Sequence, residues 1–313
     1  MKLKDAVEQY VMHKRSLGIH FKTTARILHA FCKAIGNVDL NKIPPERVKS
    51  FIYGSGPVTN NLPPKRSALS GFYRYWVNRG YVSESRVPTE FPKLPQSFIP
   101  HIYTIDELRR ILQAAANQID RCKIESHTMR FLILLLYGAA LRLSEAVSLT
   151  IGDIDLDENV LTIRDTKFYK TRWVPISADL RKAFDAYLKI RAERNHPTPS
   201  EAFLLLTRDS QPIKLNRASE SFKRLCGVAK VCRKDKGRYG PRLHDLRHSF
   251  AVHRLIACYH EGGDVGQLLV QLSTYLGHVQ LASTQYYLTL TPELLRHVSI
   301  RFENYAIRGV DHD

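Results

Sequence analysis

The chain has 313 residues, enough for two domains, and its 44% hydrophobic and 25% charged side chains are ordinary for a soluble globular protein. The charge balance is not ordinary: 47 Lys and Arg against 30 Asp and Glu leave +17, which suits a polyanion partner such as DNA. Five cysteines, an odd number scattered without a CxxC, argue against a disulfide scaffold or a zinc site and fit a reducing cytoplasm.

The cationic charge is concentrated early. Residues 1–100 carry 16 basic and 6 acidic side chains, whereas the remaining 213 carry 31 and 24. The opening MKLKDAVEQY lacks the apolar core of a signal peptide. Helical spacing of Leu3, Val7, Tyr10, Val11 and Leu17, with Gly18 as a stop, predicts a first helix. Thr24 opens a second, through Leu28, Phe31 and Ile35 to Gly36. Pro44 and Pro45 introduce a third with Val48, Phe51 and Ile52. In the fourth, Leu69, Phe72, Tyr73 and Trp76 make one stripe, and Lys65, Arg66, Arg74 and Arg79 lie on other faces as candidates for DNA phosphate contact. Residues 1–91 thus read as a small basic helical domain, and the proline-rich 92–101 as a linker.

A second domain, 102–313, opens at TIDELRRIL, where Thr104 and Glu107 have capping-box spacing. The apolar run FLILLLYGAAL, bracketed by Arg130 and Arg142, is too short to span a bilayer and reads as a buried helix. It leads into LRLSEAVSL, with Ser144 as the expected cap. VLTIRDTKFYKTRWVPI alternates on both sides of a polar centre, predicting a β-hairpin or meander edge with its turn near Lys167–Lys170. Helices follow near 178–193, 216–230 and from Pro241 onward, and TPELLRHVSIRFENYAI predicts a last amphipathic helix (Leu294, Leu295, Val298, Phe302).

The stretch from Pro241 to Tyr287 holds three patterns that could carry chemistry. His244 and Arg247, three apart at a helix start, can share a face. His278 follows Gly277 at a helix stop, and Tyr286 and Tyr287 are adjacent. Taken singly, each has a bland reading, since such pairs are common and most tyrosines are packing residues. HDLRH also echoes the HExxH of zinc hydrolases, but Asp replaces the Glu, no third ligand is apparent and Arg247 would sit beside the cation. Phosphodiester attack needs arginines to neutralise the phosphate, a nucleophile, a base and an acid for the leaving group.

Together with Arg142 in GAALRLSEAVSL and Lys167 in DTKFYKTRWVPI, the motifs LHDLRHSFA, TYLGH and a tyrosine nine residues after His278 resemble the tyrosine recombinase (phage integrase) family. The resemblance covers the second domain, and the first is similar to the family's core-binding domain. It implies a mainly α fold with a small antiparallel β-sheet: a SAM-like helical core-binding domain and a DNA breaking-rejoining catalytic domain, closing as a C-shaped clamp. Arg142 and Arg247 would then clamp the scissile phosphate, His244 assist proton movement and Lys167 act as general acid. His278 would hydrogen-bond the phosphate, Tyr287 rather than Tyr286 would attack, and Glu145 would support the site. No cofactor or metal is implied. The partners would be double-stranded DNA recombination sites, held by a homotetramer through a Holliday junction. Accessory proteins or a partner recombinase are compatible with it, and the type would be Xer-like or transposon-borne. A type IB topoisomerase and a non-cutting DNA-binding regulator are the alternatives.

Overall fold

The protein is described from a computed structural model covering residues 1–94, 99–117, 123–164, 171–233, 240–278 and 280–290. The chain divides into two compact units, Met1 to Ile99 and a second starting at Pro100. The first holds α1 (Leu3–Ser16), α2 (Lys22–Ile35), α3 (Pro45–Tyr53) and α4 (Leu62–Val77). Leu3, Ala6, Val7, Tyr10 and Val11 of α1 recur at helical spacing and are buried against Leu69, Phe72, Tyr73 and Trp76 of α4. The α1 and α4 helices approach closely because Gly71 lacks a side chain: a Cβ there would stand 2.9 Å from the Tyr10 hydroxyl.

The second unit begins at α5 (Ile105–Ala116), whose predicted capping box is present, with Thr104 Oγ1 accepting from Glu107 N at 3.1 Å and Glu107 Oε2 from Thr104 N at 2.9 Å. It continues through α6 (Ser126–Gly138), α7 (Leu143–Ser148), β1 (Ile154–Asp155), β2 (Val160–Ile163) and β3 (Arg172–Pro175). Next come α8 (Ala178–Glu193), α9 (Leu215–Val228), α10 (Leu243–His260), α11 (Val265–Leu276) and α12 (Ala282–Thr289). Among the described residues the sheet is one antiparallel meander ordered β1-β2-β3, so the predicted hairpin strands gain a short third neighbour. The register pairs Leu161 with Val174 and Ile163 with Arg172, placing Arg172 on the inward face, while Trp173 is 75% exposed.

Two apolar clusters organise this unit. The larger joins α5, α6, the sheet, α8 and α9; the smaller joins Ala140 to α10, α11 and α12 and includes Tyr287. One expected cap is corrected. Ser144 lies inside α7, and Arg142 is the N-cap, because the Glu145 carboxylate reaches back three residues to the Arg142 N–H. The expected turn at Lys167–Lys170 and the expected C-terminal helix beyond Thr291 lie outside the described residues.

Candidate active site

Glu145 is the hub of a cluster built from three elements. Its carboxylate accepts Arg142 N at 2.8 Å and Arg142 Nη1 at 2.6 Å. The Arg172 guanidinium meets it as a two-pronged fork, Nη1 to Oε1 at 3.0 Å and Nη2 to Oε2 at 2.9 Å. Arg247 Nη1 stands 3.9 Å from Oε2. Burial would raise the Glu145 carboxyl, but the Arg172 fork and then Arg142 outweigh it and hold it down at about 2. Three guanidiniums against one carboxylate leave two positive charges for an anion. Arg142 is the most open of them, at 27% side-chain exposure. Two of its five N–H donors are engaged, Nη1 by Glu145 and Nη2 by Gly277 O at 3.1 Å.

Arg247, on the first turns of α10, is almost wholly enclosed at 2% side-chain exposure. Its Nη1 donates to Ala140 O at 2.7 Å and its Nη2 to Leu276 O, so the end of α11 and the bend before Arg142 are pinned to one cation. Ala140 holds φ at +50°, a strained region for a residue with a Cβ, and its carbonyl meets the arginine from that conformation. Burial, with Arg142 beside it, brings the guanidinium down to about 10, against the opposing pull of Glu145 and Tyr287. It is still a cation at neutral pH.

Tyr287 on α12 is 1% exposed and faces this cluster. Its phenol is raised by burial, while the Arg247 charge and an Arg247 hydrogen bond act the other way. His248 Nδ1 lies 3.1 Å from the Tyr287 oxygen. His244 packs edge-on against His248 with ring centres 4.7 Å apart, and His278 stacks on Tyr287 at 6.1 Å. His278 Nδ1 pairs with Thr284 Oγ1 at 2.8 Å, tying the TYLGH turn to α12. Desolvation first and then neighbouring cations, chiefly Arg247, lower His244 and His278 to about 4. Burial, then His244 and Arg247, lower His248 to about 3. His244 is itself exposed at the surface, unlike Arg247 and Tyr287. Arg247, Arg242 and Arg142 all oppose a proton there, against the weaker pull of Asp245. Neutral imidazoles accept hydrogen bonds, so a phenol O–H donating to His248 Nδ1 is the consistent arrangement.

The structure thus brings Arg142, Glu145, His244, Arg247, His278 and Tyr287 together, with Tyr286 only half-buried on the next position of α12. Lys167 lies outside the described residues. Two members were missed by sequence reasoning, Arg172 and His248. Among the described residues no group of three or more His, Cys, Asp or Glu is placed to hold a metal ion, and the second histidine of HDLRH faces the phenol. A cleft of about 520 Å³ opens beside Arg142 and Glu145 and runs past Ser148 and Thr150 to Arg164.

In the N-terminal unit the four candidate cations separate into two pairs. Lys65 is half-buried, donates to Phe51 O at 2.9 Å and sits over the Phe51 ring. Arg66 donates to Thr89 O at 3.2 Å and lies over Phe91. Arg74 and Arg79 are exposed, and Arg79 stacks on Tyr75 at 3.8 Å.

A small sheet among helices and three guanidiniums gathered beside a buried phenol suit an anionic substrate. A family model described as "Phage integrase family" matches residues 102–293. The chain is 32% identical to y4rB of Sinorhizobium fredii, named for integrase/recombinase function, over 96% of both chains. It is 31% identical to tyrosine recombinase XerA of Thermococcus kodakarensis, over 82% of this chain and 80% of that one. A solved structure of the Tn1549 transposon integrase with transposon right-end DNA has the same fold, with TM-score 0.71 at 15% identity over 96% of this chain and 99% of that one. The chain therefore belongs to the phage integrase family, the tyrosine recombinases. Among the described residues no helix is long and apolar enough to cross a membrane.

Proposed function

We propose that this site-specific DNA recombinase cuts and rejoins strands through a covalent 3′-phosphotyrosyl bond formed by Tyr287. The observation that carries the reading is a phenol enclosed between a buried arginine, Arg247, and a neutral imidazole, His248, beside the Arg142–Glu145–Arg172 cluster. In the step proposed, the Tyr287 oxygen attacks phosphorus and the bond to the 5′-oxygen breaks. The phenolic proton passes to His248, with His244 edge-on behind it. Arg142 and Arg247 neutralise the non-bridging oxygens as charge builds, and His278 donates a hydrogen bond to the phosphate. Lys167 supplies a proton to the departing 5′-oxygen. The covalent bond retains the energy of the broken phosphodiester, so a 5′-hydroxyl from another strand can reverse the step.

The wider reading rests on the same family. The N-terminal unit is a core-binding domain whose Arg74 and Arg79 contact phosphate, while Lys65 is tied to Phe51 and Arg66 holds the segment around Thr89 and Phe91 in place. The partners are double-stranded DNA sites, bound by a homotetramer that passes through a Holliday junction. The recombinase is of the Xer-like or transposon-borne type, and it works on nucleoid DNA in a bacterial cytoplasm.

DNA fragments retained by a Tyr287→Phe protein and then sequenced would supply a nicked duplex carrying the site. Incubated with that duplex and EDTA and then denatured, the native protein is expected to migrate as a covalent DNA adduct. Tyr287→Phe should give none and Tyr286→Phe should still give it. Adduct retained by Tyr287→Phe would overturn the assignment of the nucleophile.

A further inference from the structure

The sequence of β3 places an arginine where an apolar side chain would be expected. In RWVP the inward positions are Arg172 and Val174, and the large apolar Trp173 is turned out to solvent. A buried cation costs desolvation, and it persists only where its donors are matched. Arg172, at 11% side-chain exposure, satisfies that condition on two elements at once. Nη1 and Nη2 take both oxygens of Glu145 on α7, and Nε donates to Tyr275 O near the end of α11 at 3.2 Å.

The end of α11 is shaped around the same side chain. Gly277 has φ +63°, and a Cβ on it would come within 3.2 Å of Arg172 Cδ and Nη1. The Gly277 carbonyl, in turn, accepts from Arg142 Nη2. Arg172 therefore touches Glu145, which orients Arg142, and the turn that delivers His278. It also sits on the strand that follows the segment carrying Lys167.

We propose that Arg172 is a positioning residue for strand cleavage: it fixes Glu145, and through it Arg142, while setting the TYLGH turn and the return strand of the hairpin. This rests on the reading of Tyr287 as the nucleophile. Two consequences follow from charge and geometry. Without Arg172 the cluster holds two guanidiniums and one carboxylate, so one positive charge rather than two is left for the phosphate. Glu145, facing only Arg142 and the more distant Arg247, would draw both cations toward itself and away from an incoming anion. A lysine could restore the charge but not the fork, since its ammonium is a single point donor group.

The test measures the single-turnover rate of adduct formation on the nicked duplex at saturating DNA, beside the Kd for the same DNA and the melting temperature. Arg172→Gln is expected to slow adduct formation by about 100-fold, the size of effect seen when reacting groups are misplaced by about 1 Å. The Kd should change by less than about threefold, because exposed phosphate contacts dominate affinity. Arg172→Lys should recover part of the rate, and Trp173→Thr, outward on the same strand, should match the native protein. The rate profile supplies a readout that a fold-stabilising role would not move. Losing Arg172 lets burial raise Glu145, so the acid limb of the profile should shift to higher pH. Glu145→Gln combined with Arg172→Gln should be no slower than the slower single variant, since both act on Arg142. A native rate in Arg172→Gln, or a loss that tracks only a lowered melting temperature with an unmoved acid limb, overturns the proposal. If the native protein itself forms no adduct, the Tyr287 reading falls and this one with it.

Discussion

The two units use cations in opposite ways. In the N-terminal unit Arg74 and Arg79 stand exposed, with Arg79 laid over an aromatic ring. In the catalytic unit Arg247 and Arg172 are enclosed, each matched to carbonyl or carboxylate oxygens. An exposed guanidinium attracts DNA from a distance, is screened by salt and gives way to counterions. An enclosed one is weakly screened and pre-aimed, so it meets developing charge without reorganising. On the proposed function, the contrast separates holding DNA from cutting it.

The largest expected effect lies on the enclosed side. Arg247→Lys keeps a charge but cannot reach Ala140 O and Leu276 O together. We expect adduct formation to fall by about 10³-fold, as on removal of an oxyanion donor, with a much smaller change in DNA affinity. Parallel binding and single-turnover assays measure both, and an equal loss in each would erase the distinction between the units. A smaller effect is expected on the exposed side. Arg74→Ala and Arg79→Ala should each weaken binding several-fold and reduce the slope of log affinity against log salt by about 1. The rate at saturating DNA should fall by less than the affinity does. A salt slope unchanged in both variants would mean that these cations do not meet phosphate.

The smallest effect is on stability. His244, His248 and His278 are held near 4, 3 and 4, below the ordinary 6.5. The unfolded chain therefore binds more protons than the folded one between about 6.5 and 4, so stability is full above that window and falls as pH drops through it. Urea unfolding at pH 7 and pH 5 measures this. Trp76 is buried in the N-terminal unit and Trp173 is already exposed, so tryptophan fluorescence follows the first unit and circular dichroism follows both. The acid shift should be larger by circular dichroism. Equal shifts would place the acid sensitivity outside these three histidines.

The expected site residues were legible as short motifs that together resemble a known family, each having a bland reading when taken singly. Arg142 and Glu145 share one turn, as do His244 and Arg247, and Tyr287 lies nine residues after His278. Arg172 was missed because its partner is 27 residues away and no motif in its own segment points to that partner. The one available signal was the reversed strand pattern, a tryptophan outward and an arginine inward. His248 was hidden by its neighbour, since HDLRH invites a pairing of its two histidines and the phenol that one of them meets is 39 residues on. The helices of the N-terminal unit followed their apolar stripes, but which cations remain free on its surface depended on tertiary contacts to Phe51, Thr89 and Phe91. The Arg142 cap escaped for a similar reason: serine is the commoner cap, and a glutamate side chain took over the bond.

The enclosure of Tyr287 also bears on what happens after the strand is cut. A phosphotyrosine is an activated ester, and water could hydrolyse it to leave a permanent break. The phenol is packed among α10, α11 and α12 with its ring stacked on His278, an enclosure that would limit the approach of water to such an ester. A 5′-hydroxyl brought in on a bound strand does not need to diffuse through that packing. If Tyr287 is the nucleophile, as proposed, the small cluster around it would act as a safeguard on the cut DNA, keeping a broken end in store until another strand arrives to claim it.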